Sequence, residues 1–294
     1  MPKNINLIYK EILEGILDLG HFHNTVKYKS TSGIQIYKNN GFFSFQIDQN
    51  DSFPLLTLRD INIKASVAEI LWYLRGDNDP KWLQKYTKIW DSFTDEDGMV
   101  GASYGFRWRN YFKRDQIQGL INLLKQDESS RQAVVITWDP DSDGLDDNLQ
   151  TEKGSKIKKN VPCLPMMHFQ LLDNKFVMSC IWRSNDMYLG FPHDVLGMSL
   201  LQAVLAQELG REIGLLNYVI LNGHLYENQL ESARILLNSE PNLEKIKLEL
   251  PINTYKIARD GSETELDDLF TAIFNNLKSQ YHPVQKIKGI KVVV

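Results

Sequence analysis

The segment from Val161 to Asp194, VPCLPMMHFQLLDNKFVMSCIWRSNDMYLGFPHD, carries the residues around which the rest of the chain is organised. Its pattern predicts a strand, a turn and a second strand that lead into a helix beginning near Val195. A thiol, Cys163, lies within about one hairpin of a cation, Arg183. A thiol attacks carbon only as the thiolate, and a fixed cation nearby lowers its pKa. Arg183 could instead bind an anion such as phosphate, with Ser184 beside it. The alternative interpretation is a structural cysteine and a surface ion pair.

The elements on either side of this segment indicate one α/β domain over residues 1–294. Predicted helices cover Ile5–Leu19, Asn62–Arg75, Trp82–Phe93, Asp115–Gln126 and Leu196–Leu209, with another beginning near Asn228. Predicted strands cover Ile34–Ile47, Phe53–Leu56 and Arg131–Trp138, the first broken into a hairpin at Asn39-Asn40-Gly41. Residues 139–160 are rich in Asp, Lys and Gly and lack periodicity. They are expected to form a surface loop.

Composition narrows the class of protein. The chain has 294 residues, of which 43% are hydrophobic and 24% charged, and a net charge of -4. These values are typical of a soluble globular protein and give no sign of nucleic-acid binding. Two cysteines make no disulfide framework, and Cys180 lies in the apolar run FVMSCIW. We find no signal peptide and no apolar run of membrane-spanning length, so a cytoplasmic enzyme is expected. The six histidines do not cluster at metal-ligand spacing, which predicts no metal site.

One carboxylate stands inside an apolar helix. Glu69 lies beside Leu71, Trp72 and Tyr73 in the predicted helix Asn62–Arg75. A carboxylate there has either a partner or a raised pKa, unless it lies on a solvated edge of the helix.

Motifs distributed over nearly the whole chain resemble thymidylate synthase and its relatives, the pyrimidine-nucleotide methyltransferases and hydroxymethylases. The motifs follow the order of that family: Phe53-Pro54-Leu55-Leu56-Thr57, Glu69 to Asp77, Ile89-Trp90-Asp91, Tyr104 to Trp108, Pro162-Cys163, Arg183 to Asp186, Leu189 to Pro192, and His224-Leu225-Tyr226. The resemblance implies a large mixed or antiparallel sheet covered by helices, a homodimer formed sheet to sheet, and 5,10-methylenetetrahydrofolate as cofactor.

The resemblance also implies roles for individual residues. Cys163 matches the nucleophile that adds to C6 of the pyrimidine, Glu69 the buried general acid/base, and Tyr104 the hydroxyl of the proton-removal network. The remaining matches are phosphate ligands (Lys29, Arg183, Ser184 and, from the partner subunit, Arg131), ligands of the sugar 3′-hydroxyl (His224, Tyr226) and the folate wall (Trp90, Asp186, Leu189, Gly190 and the C-terminal Val294). Asp186 is expected to contact the substrate as well.

The chain departs from the family pattern at four positions. Gln132 replaces a second phosphate-binding Arg, and Leu164 replaces the His that follows the nucleophile. His168 stands near the position of a family Gln. Asp194 stands at the position of the family Asn that recognises the hydrogen-bonding edge of uracil. An ionised carboxylate only accepts hydrogen bonds, which suits the N4 amino group of cytosine.

The Asp at position 194 also occurs in the cytidylate hydroxymethylases, so hydroxymethylation of dCMP or CMP is the predicted reaction. The alternative for Asp194 is a helix N-cap. The alternative reaction is that of a thymidylate synthase, reductive methylation of dUMP or of dCMP with dihydrofolate as product. A zinc cytidylate deaminase is excluded, because Met166 stands where its second Cys is needed and no His-x-Glu occurs. A binding protein without turnover is disfavoured by the presence of Cys163, Glu69 and Tyr104 together.

Overall fold

A mixed sheet organises the protein, which a computed structural model describes over residues 4–24, 36–143 and 161–286. Its strands are β1 (His21–Asn24), β2 (Ile36–Asp48), β3 (Val134–Ile136), β4 (Met166–Leu172), β5 (Lys175–Trp182), β6 (Asn185–Asp186) and β7 (Glu212–Tyr226). Six of them follow the order β1-β2-β7-β5-β4-β3, and β6 pairs with β7. The β5–β7 and β6–β7 pairs are parallel and the other pairs antiparallel. The predicted mixed α/β sheet is confirmed.

Helices cover one face of the sheet. They are α1 (Ile5–Leu19), α2 (Ile63–Arg75), α3 (Tyr104–Phe106, continued as a π-helix over Arg107–Tyr111), α4 (Gln116–Gln126), α5 (Gly190–Leu209), α6 (Leu230–Leu237), α7 (Thr254–Asp260) and α8 (Glu263–Ser279). Helix α5 packs against α2, β5 and β7. It is buried on most sides, as its sequence predicts, and therefore forms the centre of the core. None of the described helices is long and apolar enough to cross a membrane.

The other face of the sheet carries exposed apolar side chains. They belong to Phe42, Val134, Ile136, Leu172 and Leu221. A polar row crosses the same face, where Gln46 donates to Asn217 at 2.9 Å and Asn217 donates to Ser179 at 3.0 Å. His168 lies opposite Ser179 in the β4–β5 register. His168 therefore points away from α5, since its neighbours Met167 and Phe169 are the residues buried against the helices.

Three predicted elements differ in the structure. Asn39-Asn40-Gly41 is no hairpin: β2 runs through it as one strand with a bulge, where Gly41 has a φ of 73°. The predicted helix Trp82–Phe93 is two 3₁₀ turns, Leu83–Lys85 and Ile89–Phe93. Residues 53–56 join no strand ladder. Lys29, Val294 and most of the predicted 139–160 loop lie outside the described residues, as does the tail from 287 onward.

Candidate active site

The backbone of Cys163 is held from two sides, immediately before β4. Its N–H donates to the hydroxyl of Tyr104 at 3.2 Å, and its carbonyl accepts from the N–H of Arg183 at 2.9 Å. Tyr104 opens α3, where Ser103 serves as the N-cap. The structure therefore brings the predicted nucleophile and the predicted proton-removal hydroxyl into direct contact.

The guanidinium of Arg183 lies beside the thiol. Its Nε donates to the carbonyl of Pro162 at 2.7 Å and its Nη2 to that of Val161 at 2.9 Å, with Nη2 3.8 Å from Cys163 Sγ. The guanidinium carbon also lies 5.4 Å from the ring centroid of Trp138, within cation–π distance. Trp138 was not a candidate from the sequence. The one feature of the sequence that could have indicated a role for Trp138 is its position at the end of the predicted strand Arg131–Trp138, next to the predicted loop.

Burial of Cys163 raises the pKa of its thiol by more than the cation Arg183 lowers it. The pKa of Cys163 is raised, first by desolvation and then by the nearby carboxylates Asp194 and Asp186, while Arg183 lowers it. The predicted effect of Arg183 on the pKa therefore has the right sign, but desolvation of the thiol is the larger effect. Cys163 is a thiol at neutral pH in the free site, so its proton must leave as it attacks carbon.

Removal of the charge at Arg183 should make the thiol still less acidic. We expect Arg183→Gln to raise the pKa of Cys163 and to slow alkylation by iodoacetamide at pH 8 by about tenfold or more, because an opposite charge at this distance shifts a pKa by roughly one unit or more. Arg183→Lys keeps the charge and is the matched control. The measurement is the alkylation rate against pH, and identical profiles for Arg183→Gln and wild type would contradict the assignment.

Glu69 lies at the same site with two hydrogen-bond donors. It is half-buried on α2, which Asn62 caps at its N-terminus and Gly76 ends in the left-handed conformation. The indole Nε1 of Trp90 donates to its Oε1 at 2.5 Å, and Tyr73 also bonds to it. Desolvation outweighs both bonds and raises the pKa of Glu69 to about 7. A carboxyl group with that pKa can both give and take a proton at neutral pH.

Asp194 faces the same space from α5. It is half-buried, and its Oδ2 accepts from Asn185 Nδ2 at 3.0 Å. Desolvation and the charge of Glu69 raise its pKa well above the ordinary value. The N-cap interpretation is wrong, because α5 begins at Gly190 and Asp194 lies within it. A carboxyl group held in this way by one side chain is free to contact a ligand with its other oxygen.

A thiol, two carboxyl groups of raised pKa and an arginine thus surround one space. A family model described as thymidylate synthase matches residues 7–293. The chain belongs to the thymidylate synthase family. Members of this family use 5,10-methylenetetrahydrofolate as the donor of a one-carbon unit. The chain is also similar in fold to the thermostable thymidylate synthase A of Bacillus subtilis, with a TM-score of 0.76, 22% identity and 99% of each chain covered.

The segment after Arg183 connects to the end of β7. Asp186 lies opposite His224 in the β6–β7 register, and the rings of His224 and Tyr226 meet edge to face at 5.0 Å. Ser184 is half-buried between Arg183 and this corner. Asp186 thus connects Arg183 and Ser184, two of the predicted phosphate ligands, with the predicted sugar ligands His224 and Tyr226.

Asp186 has a structural function that the sequence did not reveal. Its Oδ1 accepts from the N–H groups of Tyr188 and Leu189, each at 2.9 Å, and its Oδ2 accepts from Gln229 Nε2 at 2.9 Å. Both oxygens therefore hold the turn that leads into α5. A contact of Asp186 with folate or nucleotide, as predicted, would have to use remaining lone pairs.

The residues predicted to hold methylenetetrahydrofolate fit a flat, mostly apolar group. Trp90 packs on Trp72 at 5.9 Å between ring centroids, and Leu189 is partly buried against the core. A Cβ at Gly190 would come within 3.4 Å of Asn185 Oδ1 and 3.5 Å of Asp194 Oδ2, so the absent side chain leaves room beside the carboxyl group. Trp90, Leu189 and Gly190 would therefore form the wall for the folate, which supplies the one-carbon unit when bound.

The remaining predicted residues are not gathered at this site. Arg131 is exposed before β3, and Gln132 lines a groove of about 440 Å³ between α4 and β3. Leu164 is fully buried in the core. The described residues hold no group of His, Cys, Asp and Glu that could bind a metal ion.

Proposed function

We propose that this protein transfers a one-carbon unit from methylenetetrahydrofolate to C5 of a cytidylate, dCMP or CMP, and releases the 5-hydroxymethyl nucleotide. The observation that carries the proposal is the carboxyl group of Asp194, which one side chain holds beside Cys163 and Glu69. Uracil presents a donor at N3 and an acceptor at O4, whereas cytosine presents an acceptor at N3 and an amino donor at N4. An acidic group that shares one proton with N3 and accepts from N4 pairs with cytosine through both oxygens.

Each residue around the pyrimidine takes part in a different step of the reaction. Cys163 Sγ forms a bond to C6 and gives up its proton, which makes C5 electron-rich enough to take the one-carbon unit. The hydroxyl of Tyr104, in contact with the backbone of Cys163, belongs to the network that removes the C5 proton. Glu69, with a pKa of about 7, moves a proton at N3 or N4 through water. Loss of the C5 proton and departure of tetrahydrofolate leave an exocyclic methylene on C5. Water adds to this carbon, and the bond between Cys163 and C6 breaks to restore the aromatic ring.

The nucleotide's phosphate and sugar are bound at the edge of this site. Arg183, Ser184 and Lys29 bind the phosphate, together with Arg131 of the partner subunit, and His224 and Tyr226 bind the 3′-hydroxyl. The guanidinium of Arg183 has N–H donors that are not bonded to Val161 or Pro162. These donors support the binding of an anion such as the phosphate. With Gln132 beside Arg131, we expect one cation fewer than a paired arginine site would have.

The second candidate is the thymidylate synthase reaction, reductive methylation of dUMP or of dCMP. It is favoured by the match in fold to the Bacillus subtilis enzyme over 99% of both chains. The two reactions differ in product mass and in the fate of the folate, which is oxidised to dihydrofolate only when it delivers a hydride as well.

Mass spectrometry of the nucleotide product tests the proposal. The purified protein is incubated with methylenetetrahydrofolate and dCMP, CMP or dUMP in turn, while dihydrofolate is followed by its absorbance. We expect a 5-hydroxymethyl cytidylate and no dihydrofolate. A methylated product with stoichiometric dihydrofolate would instead establish the second candidate.

The exposed sheet face supports a homodimer with shared sites. Its apolar side chains and its central polar row suit a second copy of the same surface, which would bury them. Arg131 is exposed on the approach to β3, the edge strand next to β4. It could therefore reach the phosphate in the partner's site.

Complementation tests the shared site. Chains with Cys163→Ser and chains with Arg131→Glu should each be inactive, but a mixed dimer contains one site with both lesions and one with neither. Activity should return on mixing, and each mixed dimer, with one intact site, should have about half of the activity of a wild-type dimer by site counting. If mixed dimers form and stay inactive, Arg131 does not act across the interface.

A further inference from the structure

The side chain of Asn185 lies directly behind Asp194. Asn185 is 3% exposed on β6, opposite Gly223 of β7, and its Nδ2 donates to Asp194 Oδ2 at 3.0 Å. Tyr218 also bonds to Asp194, but to the backbone carbonyl rather than to the carboxyl group. Within residues 4–24, 36–143 and 161–286, Asn185 is thus the one donor to this carboxyl group. The interaction is therefore between two side chains that the strand β6 and the helix α5 bring together.

The other half of the amide has no partner. Asn185 Oδ1 is buried and accepts no hydrogen bond. A buried acceptor without a donor is costly, since the group has lost its water. If residue 185 only had to hold the turn at β6 through its backbone, a side-chain amide with an unsatisfied oxygen would not be needed there. The arrangement therefore indicates that the donor bond to Asp194 is the reason for an asparagine here.

Arg183 lies beside Cys163 and the adjacent His193 bonds to Ser66, whereas the other titratable groups around Asp194 are all acids. They come from α2 (Glu69, Tyr73), α3 (Tyr104), the segment before β4 (Cys163), β5 (Cys180), β6 (Asp186) and β7 (Tyr218). None of these described groups supplies a positive charge to the carboxyl group. These surroundings favour the protonated form of Asp194. Which of its two oxygens carries the proton then determines which hydrogen bonds it can form with a base.

A protonated carboxyl group pairs with either base, depending on which oxygen carries the proton. With the proton on the oxygen that faces N3, the group donates to N3 of cytosine and accepts from N4. With the proton on the oxygen that faces position 4, it donates to O4 of uracil and accepts from N3. The identity of Asp194 alone therefore does not decide between the two bases in a site that favours its protonation.

We propose that Asn185 is a positioning residue for base selectivity, whose donor bond to Asp194 Oδ2 keeps the shared proton on Oδ1 and so fixes the pattern that matches cytosine. An oxygen that already accepts from an amide N–H is the poorer site for a proton. Oδ2 then accepts from both Asn185 and the N4 amino group, and Oδ1 shares the proton with N3. The inference rests on the proposed cytidylate specificity and names the residue that enforces it.

Asn185→Leu tests this, because leucine has nearly the shape of asparagine but no donor. The kcat/KM values for dCMP and dUMP are measured on wild type and variant. We expect kcat/KM for dCMP to fall about tenfold or more and that for dUMP to rise, because the hydrogen bond to Asp194 Oδ2 is lost and the proton is no longer confined to Oδ1. A loss of equal size for both nucleotides would overturn the inference.

Two further variants separate this effect from loss of structure. Asn6→Leu is a matched control, since Asn6 is buried to a similar degree on α1 and bonds the backbone of Thr57. It should lower the Tm without changing the dCMP to dUMP ratio. Asn185→Asp keeps the shape but replaces the donor by a carboxyl group that donates only when protonated. Its kcat/KM for dCMP should therefore fall as pH rises, and a pH profile like that of wild type would count against the role.

A double-mutant cycle distinguishes failure of this inference from failure of the proposed function. In an Asp194→Asn background no carboxyl proton remains to be placed, so Asn185→Leu should change the selectivity by less than about twofold. If Asn185→Leu has the same effect in both backgrounds, Asn185 does not act through Asp194. If wild type prefers dUMP, the proposed function itself is wrong, whatever the cycle shows.

Discussion

Turnover is expected to disappear when Cys163 is replaced by serine, by on the order of 10⁴- to 10⁶-fold, as with other enzymes that lose their nucleophile. A serine hydroxyl is far less acidic than a thiol, and Arg183 at 3.8 Å cannot compensate in a buried site where even the thiol is protonated. Nucleotide binding should remain, because the phosphate and sugar ligands are unchanged. The measurement is release of tritium from C5 of labelled dCMP, together with nucleotide affinity.

The second cysteine provides the matched control. Cys180 is fully buried on β5, and its pKa is strongly raised by desolvation, so it has no route to a substrate. Cys180→Ala should therefore keep the activity and lose only some stability from the small cavity. Near-normal tritium release by Cys163→Ser, or inactivity of well-folded Cys180→Ala, would show that the nucleophile has been assigned to the wrong thiol.

Local patterns in the sequence predicted the elements that carry the site. Asn62 and Gly76 bound helix α2 as cap residues, so Glu69 was correctly placed inside an apolar helix. The apolar residues of Leu196–Leu209 likewise predicted a helix beginning near Val195, although α5 starts five residues earlier, at Gly190. These features depend on residues close together in the chain, and for that reason they could be predicted without the fold.

Elements that depend on distant residues were predicted less well. Asn39 and Gly41 look like a hairpin turn, but Asn39 bonds to Asn222 on β7 and the chain continues as a bulged strand. Trp82 and Tyr86 have helical spacing, yet both donate to Asp267 on α8, and two short turns replace the helix. In each case a partner nearly two hundred residues away decides the local conformation.

Contacts between residues far apart in the chain also limited how much of the candidate active site could be predicted from the sequence. The sequence placed Cys163, Glu69 and Asp194 among the candidates through the family motifs, but it could not show the balance of burial and charge that raises all three pKa values. Asn185 stood in a quoted motif without any assigned role. Its importance follows only from the distance to Asp194, which the pairing of β6 with β7 and the start of α5 determine together.

Asp194→Asn is expected to move the preference of the enzyme from cytidylate toward uridylate. In wild type, Asp194 with its proton on Oδ1 presents the accepting oxygen Oδ2 to position 4 of the base, where it opposes the acceptor O4 of uracil. Two buried acceptors set against each other in this way cost about 1–3 kcal/mol, which corresponds to roughly a five- to 150-fold difference in kcat/KM. An amide removes this repulsion, since its N–H₂ can donate to O4 while its carbonyl accepts from N3. The variant also loses the proton that Asp194 shares with N3 of cytosine.

The measurement is kcat/KM for dCMP, CMP and dUMP on wild type and on Asp194→Asn, each with methylenetetrahydrofolate. The value for the cytidylates should fall and that for dUMP should rise, while Cys163-dependent tritium release from the preferred nucleotide persists. His193 is the neighbouring control: its Nδ1 lies 2.7 Å from the hydroxyl of Ser66, and burial lowers its pKa to about 3, so it stays neutral. His193→Gln should leave the base preference unchanged. If His193→Gln alters the preference and Asp194→Asn does not, the base is recognised at the preceding residue of α5, and the protein is a thymidylate synthase relative whose specificity Asp194 does not determine.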